Sequence, residues 1–291
     1  MKKIYVLYNP HSHSDAGESI AHALDNIYSG AELIYKNLCE TEYSALFAEI
    51  DPCDDVVICG GDGTLNRFVN ATAEISFENS IFYYAAGTGN DFLRDIGGEN
   101  EKVPICIDKY IKDLPVTTVK GKKYRFLNNI GFGIDGYCCE VGDRMREEKH
   151  ETINYTAIAI KGLLFHYKPT TATVIVDGKE YTYKKAWLAP TMKGRYYGGG
   201  MMPTPAQDRL DEEGKVSVML LYGTGKLSTL MIFPSIFKGE HLKNKKHTVV
   251  HSGKKITVRF DAPRAVQIDG ETITGVTEYT VEAGVPVRKL S

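Results

Sequence analysis

The most informative segment of the chain reads Val56-Val57-Ile58-Cys59-Gly60-Gly61-Asp62-Gly63-Thr64-Leu65-Asn66. An apolar run typical of a strand leads into a glycine loop, and a helical pattern begins at Thr64. Glycines allow backbone N–H groups to approach a bound anion, and the dipole of a helix N-terminus favours negative charge. The segment therefore predicts a phosphate site, with a tight strand-to-helix turn as the structural alternative. Asp62 suits a phosphate site if a metal ion or a hydroxyl group lies between its carboxylate and the phosphate.

The composition is that of an ordinary globular protein. The 291 residues include 43% hydrophobic and 25% charged residues, enough for two domains with a sizeable core. The formal net charge of -2 gives no overall basic field, so we expect no nucleic-acid partner. The six cysteines form no CxxC pair, and no apolar run approaches the ~20 residues of a membrane span. Because the first residues resemble a strand and not an export signal, we expect a cytoplasmic protein.

Patterns of strand, loop and helix alternate over the first part of the chain, which predicts βαβ units and a parallel sheet. In such sheets, ligands bind at the carboxyl ends of the strands. Three loops follow predicted strands at that edge, and they begin at Asn9, Gly60 and Gly87. The third is a second glycine loop, which reads Ala86-Gly87-Thr88-Gly89-Asn90-Asp91-Phe92.

The pattern changes near Pro115, where short β-branched and aromatic runs separated by turns begin. Such runs predict an antiparallel, β-rich second domain. We therefore predict an α/β catalytic domain with a parallel sheet over residues 1–115 and a β-rich domain over residues 116–291. The C-terminal residues can pack back on the first domain, and the active site is expected in the cleft between the two domains.

Two glycine-rich segments of the second domain have alternative interpretations. The segment Gly131-Phe132-Gly133-Ile134-Asp135-Gly136 has dinucleotide-fingerprint spacing, but it does not lie in a first βαβ unit. It is interpreted as a loop of close backbone approach with Asp135 facing the cleft, or as a structural hairpin or bulge. For Tyr196-Tyr197-Gly198-Gly199-Gly200-Met201, structural packing is favoured over a ligand edge.

Three other segments also remain open. The acidic run at 208–213 offers oxygen ligands suited to Mg²⁺ or Ca²⁺, or it is a solvated turn. The turn Asp269-Gly270-Glu271 could carry a general base from the far end of the chain, although such turns are common. The apolar stretch 153–168 has basic ends, so it could line an acyl-chain pocket, touch a membrane or form a core helix.

The motifs together resemble the soluble bacterial diacylglycerol kinase family, lipid kinases that share a catalytic fold with sphingosine kinases. The resemblance is collinear over nearly the whole chain. The glycine loop at Gly60 alone would not separate this family from NAD kinases. The matching motifs are Asn9-Pro10, Gly60–Thr64, Gly87–Phe92, Gly131–Asp135, Tyr197–Met201 with Pro205-Ala206, and Asp269–Glu271.

The resemblance implies that ATP and Mg²⁺ are bound. Asp62 and Asp135 would anchor the Mg²⁺ directly or through water, and Glu271 would be the general base, so these three are the predicted catalytic residues. A second, structural Mg²⁺ would lie near Leu210 and Asp211, although the family's usual acidic pair followed by glycine is altered here. The predicted ATP-binding residues are Asn9, Ser12, Gly60, Gly61, Gly63, Thr64, Gly87, Thr88, Gly89 and Asn90.

The function expected from the resemblance is transfer of the ATP γ-phosphate to the hydroxyl of diacylglycerol or a related lipid alcohol. The β-rich domain would accept the lipid, with peripheral contact at a membrane surface, and a homodimer is left open. Two alternatives remain. One is NAD kinase-like phosphorylation of a soluble substrate, and the other is a nucleotide- or lipid-binding regulator without catalysis.

Overall fold

The computed structural model describes residues 2–12, 15–87, 89–98, 101–148 and 153–286. The chain divides into two compact units, the first built from residues up to Leu114 and the second from Pro115–Val285. The expected return of the C-terminal residues to the first domain concerns residues 287–291, which lie outside the described residues.

The first unit is an α/β domain with a mainly parallel sheet, as predicted. Its elements are β1 (Lys3–Tyr8), α1 (Gly17–Ala21), α2 (Leu24–Ile27), β2 (Glu32–Asn37), α3 (Tyr43–Glu49), β3 (Asp55–Gly60), α4 (Asp62–Ala71), β4 (Ser80–Ala85), α5 (Asp91–Asp95), β5 (Ile105–Cys106) and α6 (Asp108–Ile111). The strand order is β2-β1-β3-β4-β5, and the first four strands pair in parallel. The two-residue β5 runs antiparallel to β4.

The central strands β1 and β3 form the core of this sheet. Val6, Val57 and Ile58 are fully buried, and Leu65 and Phe68 of α4 are buried with them. Strands covered by helices on both faces are nearly continuous apolar runs, which explains why Val56–Cys59 shows no alternation.

The strand order reverses between β1 and β3. From β1 the chain passes to β2 on one side and then returns to β3 on the other side. The loops that follow β1 and β3 therefore lie at the carboxyl edge of the sheet on the two sides of this reversal. In open α/β sheets this reversal point is where ligands bind.

The second unit is an antiparallel β-rich domain, as predicted. It contains β6 (Asp113–Val119, which starts at the boundary), β7 (Lys122–Arg125), β8 (Asn129–Gly133), α7 (Ile134–Glu147), α8 (Tyr155–Lys161), β9 (Thr170–Val176), β10 (Lys179–Met192), β11 (Val216–Tyr222), α9 (Lys226–Ile232), β12 (Thr248–Gly253), β13 (Lys255–Ile268) and β14 (Glu271–Pro286). A π-helical turn, Gly162–His166, follows α8, and two 3₁₀ helices, Phe233–Lys238 and Glu240–Lys243, follow α9.

In this sheet the main strand order is β12-β11-β10-β8-β13-β14-β6-β7, and β9 pairs with β10 and β13. One core lies among the strands and includes Phe132, Phe260 and Tyr279. A second core lies where the helices meet the sheet and includes Leu163 and Trp187. No helix among the described residues has the length and apolar character needed to cross a bilayer.

Candidate active site

The loops after β1 and β3 are joined by hydrogen bonds within the first unit. The Asn9 N–H donates to the Cys59 carbonyl oxygen at 3.3 Å, and Asn9 Nδ2 donates to Thr64 Oγ1 at 3.1 Å. The Ser12 N–H donates back to the Asn9 carbonyl oxygen at 3.0 Å. The buried Thr64 hydroxyl already accepts the hydrogen bond from Asn9 that joins the two loops. Its contact with a phosphate stays a prediction.

The loops after β3 and β4 touch each other through glycine. The Ala86 N–H donates to the Gly60 carbonyl oxygen at 2.8 Å. A Cβ atom on Gly87 would lie 2.7 Å from Gly61 Cα, which is closer than real Cβ atoms come to backbone. At Gly63, by contrast, an added Cβ would meet no atom within 4 Å. Glycine is therefore required where the loops touch, and the space at Gly63 is open.

The N-terminus of α4 faces that open space. The N-cap residue Gly61 has no side chain, and the first bond of the helix runs from the Leu65 N–H to the Gly61 carbonyl oxygen at 3.1 Å. The preceding N–H groups, from Asp62 to Thr64, lack acceptors within the helix. Together with the dipole of this ten-residue helix, they make its N-terminus suitable for a phosphate.

Asp62 connects the second loop to the third. Its carboxylate accepts hydrogen bonds from the Asp91 N–H at 2.7 Å and the Phe92 N–H at 3.3 Å, so it caps α5. Because its oxygens already accept these bonds, the geometry favours contact with a metal ion through water over direct ligation. Of the two possibilities implied by the resemblance, the water-mediated one fits this arrangement better.

Asn90 presents an unused acceptor in the loop after β4. Its backbone adopts the left-handed conformation with φ of 46°, and Nδ2 donates to the Gly87 carbonyl oxygen at 2.8 Å. Its Oδ1 is buried without a hydrogen-bond partner among the described residues. A Cβ on the neighbouring Gly89 would still lie 4.0 Å from Asp62 Oδ2. The loop therefore has room for a ligand that donates a hydrogen bond, while Thr88 lies outside the described residues.

In the second unit, Asp135 lies in the first turn of α7, directly after β8. Its Oδ1 accepts from the Gly136 N–H at 2.8 Å, and Gln267 Nε2 donates to its Oδ2 at 3.3 Å. Burial raises the pKa of Asp135 to about 6, and these hydrogen bonds only partly oppose the shift. Asp135 can therefore change its charge near neutral pH.

Replacing Asp135 with asparagine is expected to make folding less dependent on pH. The raised pKa means that the folded state binds the proton more tightly than the unfolded state, whose reference value is 3.8. The resulting stability is present below pH ~4 and is lost as pH rises through ~6, by ~3 kcal/mol. Urea unfolding of both proteins in EDTA at several pH values measures this difference. Parallel pH profiles for wild type and D135N would contradict it.

The turn between β13 and β14 holds Asp269 and Glu271. Asp269 and Gly270 have φ of 46° and 93°, and Ile268 pairs with Glu271, as in a two-residue hairpin turn. The Asp269 carboxylate accepts from the N–H groups of Leu127, Asn128 and Asn129 at 2.5, 2.8 and 2.9 Å. Asp269 is thus a structural anchor, while the Glu271 side chain is exposed at the end of the hairpin.

Gln267 was not predicted from the sequence, although it links two predicted sites. Its Nε2 contacts Asp135, and its Oε1 accepts from the Gly270 N–H at 3.0 Å, next to Glu271. Gln267 is buried. The sequence did carry a signal for Gln267. It places an amide between Val266 and Ile268 in a strand that is apolar enough to be buried, and a buried amide needs hydrogen-bond partners.

The glycines around Asp135 serve close packing. A Cβ on Gly136 would lie 2.2 Å from the Ala265 carbonyl oxygen of β13, and one on Gly131 would lie 2.5 Å from Asp135 Oδ2. The close backbone approach agrees with the interpretation of this segment, but the segment is neither a loop nor a hairpin, because residues 131–133 end β8 and residues 134–136 begin α7. In the later segment, the N–H groups of Tyr197 and Met201 each donate to the other's carbonyl oxygen at 3.0 Å across three glycines with positive φ. A Cβ on Gly199 would meet no atom within 4 Å, so positive φ and not close packing requires glycine there, and the choice between packing and a ligand edge stays a prediction.

The predicted structural metal site at Leu210 and Asp211 lies in a partly exposed turn. Asp208 Oδ1 accepts from the Leu210 N–H, and Asp211 Oδ2 accepts from the Lys215 N–H, both at 2.8 Å. In the part of the chain that the structure describes, no three His, Cys, Asp or Glu side chains group in a way that could hold a metal ion. The site at Leu210 and Asp211 therefore stays a prediction.

Comparison with known families accounts for both units. The family model described as the diacylglycerol kinase catalytic domain matches residues 3–119. The model described as the YegS C-terminal NAD kinase beta sandwich-like domain matches residues 128–285, and this second match alone covers more than half of the chain. The chain belongs to the diacylglycerol kinase family. Family membership supports a phosphotransferase and confirms the resemblance inferred from the motifs.

Relatives in this family match over most of their length. A diacylglycerol kinase of Mycobacterium tuberculosis (strain CDC 1551 / Oshkosh) is 27% identical over 226 residues, which are 75% of this chain and 70% of the relative. A diacylglycerol kinase of Bacillus subtilis (strain 168) is 23% identical over 280 residues, 93% and 90% of the two chains. These relatives agree with a kinase assignment at the level of the family.

Solved structures share the fold. A diacylglycerol kinase structure from Bacillus anthracis str. Sterne has a TM-score of 0.58 and 18% identity, covering 97% of this chain and 94% of that chain. Another structure from the same strain reaches a TM-score of 0.68 at 19% identity, covering 97% and 92%. At these identities the likeness concerns the fold alone, and it agrees with the two-domain architecture.

Proposed function

We propose that this chain is an ATP- and Mg²⁺-dependent lipid kinase that phosphorylates the hydroxyl of diacylglycerol or a related lipid alcohol. The observation that carries the proposal is the meeting of three loops at the carboxyl edge of the first sheet, next to the open N-terminus of α4. The Gly61–Gly87 contact and the unused Asn90 acceptor support the same function. An ATP ribose hydroxyl or adenine amino group would supply the donor that Asn90 lacks.

In this proposal the residues of the second unit handle the proton of the acceptor. Glu271 takes the proton from the lipid hydroxyl while the hydroxyl oxygen forms a bond to the γ-phosphorus. The bond from that phosphorus to the oxygen of the β-phosphate breaks, so ADP leaves. Gln267 holds the Asp135 carboxylate and the turn that carries Glu271. Phosphoryl transfer depends mainly on such positioning and on charge neutralisation.

The donor set is compatible with Mg²⁺ bound together with nucleotide. Mg²⁺ usually binds through one or two carboxylates and substrate phosphates and keeps several water ligands. Asp62 and Asp135 are the carboxylates we assign to this role, and Asp62 suits a water-mediated contact. When bound, Mg²⁺ would neutralise charge on the phosphates.

An exposed apolar patch in the second unit supports the proposed peripheral contact with a membrane surface. The patch consists of Phe165, Leu227 and Met231, whose side chains are 71%, 70% and 74% exposed. Lys226 Nζ donates to the Leu164 carbonyl oxygen at 2.7 Å, which ties α9 to the π-helical turn. Exposed apolar side chains bordered by lysine suit an anionic lipid surface.

Replacing both Phe165 and Met231 with serine is expected to weaken vesicle binding at least about tenfold, because large apolar side chains no longer enter the lipid. Co-sedimentation with vesicles of phosphatidylcholine and phosphatidylglycerol measures the effect. Val103, an exposed apolar residue of the first unit, provides the control V103S. Equal vesicle binding by the double variant and V103S would remove the patch from the membrane contact.

The function itself is tested with purified protein, ATP, Mg²⁺ and mixed micelles that contain diacylglycerol or other lipid alcohols. We expect transfer of labelled phosphate to a lipid. Absence of labelled product from every lipid alcohol would refute the proposal. Phosphorylation of NAD without lipid or detergent would favour a soluble substrate instead.

A further inference from the structure

Residues 197–205 of the second unit have no role in the proposed kinase activity so far. The segment begins with a tight turn, because the N–H groups of Tyr197 and Met201 each donate to the other's carbonyl oxygen at 3.0 Å. The three glycines between them have φ of 60°, 78° and 108°, which other residues rarely adopt. Tyr197 and Met201 are only 4% and 8% exposed. The turn therefore holds both side chains in the interior.

The end of the segment is fastened to the 3₁₀ helices that follow α9. The Met202 N–H donates to the Ile236 carbonyl oxygen at 3.1 Å. His241 Nε2 donates to the Pro203 carbonyl oxygen at 3.0 Å. Ile236 and His241 are both buried, so these contacts belong to a closely packed interior that resists displacement.

The Tyr197 side chain reaches the first turn of α7. It packs in the same buried cluster as Ile134 and Cys138 of that helix. Burial raises the pKa of Asp135, and a hydrogen bond from the Tyr197 side chain is among those that oppose the rise. Gln267 donates to the same carboxylate from β13. Side chains from two separate segments therefore hold Asp135.

Hydrogen bonds decide where the Asp135 carboxylate points. The torsion that rotates a carboxylate has broad minima, so it is set by the partners of the oxygens. The residue beneath the carboxylate is Gly131, where an added Cβ would lie 2.5 Å from Asp135 Oδ2. Because glycine offers no side chain to confine the carboxylate, its orientation depends on Tyr197, Gln267 and the Gly136 N–H.

We infer that Tyr197 is a positioning residue, which holds the Asp135 carboxylate in the orientation needed for phosphoryl transfer and is itself fixed by the anchor of Met202 and Pro203 to the 3₁₀ helices. The catalytic consequence rests on the proposed function, in which Asp135 anchors the cation at the phosphates. The hold on Asp135 can be measured without ATP, Mg²⁺ or lipid.

Tyr197→Phe tests the contact, because it removes the hydroxyl and keeps the ring in its cluster. Tyr181→Phe is the matched control. Tyr181 is a partly buried tyrosine of β10 that stacks on His251, with 4.1 Å between the ring centres.

Gly239→Ala tests the anchor, because the added Cβ would lie 2.6 Å from Pro205 Cγ. Gly223→Ala is its control. Gly223 has φ of 69°, against 67° for Gly239, so both variants strain the backbone alike. At Gly223, however, the nearest atom to an added Cβ is His247 Nδ1 at 3.6 Å, an ordinary contact.

The Gly136 N–H reports the position of the carboxylate. The first N–H groups of a helix lack acceptors within it, and this one donates to Asp135 Oδ1 at 2.8 Å. In EDTA without nucleotide, hydrogen exchange at Gly136, followed by NMR, should be at least about threefold faster in Y197F and G239A than in their controls. In the micelle assay, turnover should fall at least about tenfold with the KM for ATP within about twofold, since a group that orients a metal-binding carboxylate is lost.

The inference is overturned if Y197F and Y181F exchange Gly136 at the same rate, or if Y197F exchanges faster and keeps the turnover of Y181F. Equal results for G239A and G223A would remove the anchor from the inference. Y197F keeps its ring, so it decides the outcome even if G239A folds poorly. If the wild type phosphorylates no lipid, the proposed function fails, and the exchange rates alone decide whether Tyr197 holds Asp135.

Discussion

Glu271→Gln is expected to lower the turnover number for lipid phosphorylation at least about 100-fold, because an amide cannot accept the proton of the acceptor hydroxyl. The side chain keeps its length, and the Asp269-Gly270 turn that carries it keeps its anchor to residues 127–129. The KM for ATP should remain within about twofold of wild type, since Glu271 belongs to the second unit and is not assigned to the nucleotide. Steady-state assays in diacylglycerol micelles measure both constants.

Glu278→Gln is the matched control for this experiment. Glu278 lies on the same strand and pairs with Arg259 on the exposed surface. Exposed ion pairs contribute little to stability, so E278Q should retain wild-type turnover. If E271Q and E278Q were equally active, Glu271 would not be the general base, while the phosphate loops of the first unit would be unaffected by that result.

Asp62→Asn is expected to have the second large effect, again a fall in turnover of about 100-fold, with a higher Mg²⁺ concentration needed for half-maximal rate. Asparagine is neutral and has a single side-chain oxygen, so it cannot both anchor a hydrated cation and accept from two backbone N–H groups. The weakened cap of α5 should also lower the free energy of unfolding by ~1 kcal/mol. Magnesium titrations of the initial rate and urea unfolding measure the two effects.

Glu42→Gln separates the two roles of Asp62. Glu42 also caps a helix of the first unit, because its carboxylate accepts from the N–H groups of Ser44 and Ala45 at 3.3 and 2.7 Å. E42Q should therefore lose similar stability and keep its turnover and its Mg²⁺ dependence. A D62N enzyme that loses stability like E42Q but stays fully active would restrict Asp62 to a structural role.

The parallel sheet and its glycine loops could be predicted from the sequence because the signals are local. A strand, a glycine loop and a helix start lie within about ten residues around Gly61, and the same succession recurs around Gly87. The two-residue β5 escaped prediction because so short a strand has no periodicity. The stretch 153–168 was expected as one helix, but it is divided into α8 and a π-helical turn at Gly162, where a side chain would meet the ring of Tyr137.

Contacts between residues far apart in the chain could not be predicted. The carboxylate of Asp62 caps a helix 29 residues later, and Gln267 contacts Asp135 across 132 residues. Asp269 looked like part of an ordinary turn, yet it accepts three N–H groups about 140 residues away. These partners depend on which strands become neighbours, and hydrophobic periodicity does not specify that order. The motifs singled out Asp62, Asp135 and Asp269, but only the strand order shows what each one contacts.

The position of β13 determines when the second unit can become complete during synthesis. This strand comes late in the chain, yet it lies between β8 and β14 and also pairs with β9. Until residues up to Ile268 have emerged from the ribosome, β8 and β9 each have one edge without its partner strand. Such unpaired edges are prone to pair with other chains. The centre of the sheet therefore cannot close before β13 has emerged, and the hairpin that carries Glu271 also requires β14, which follows it.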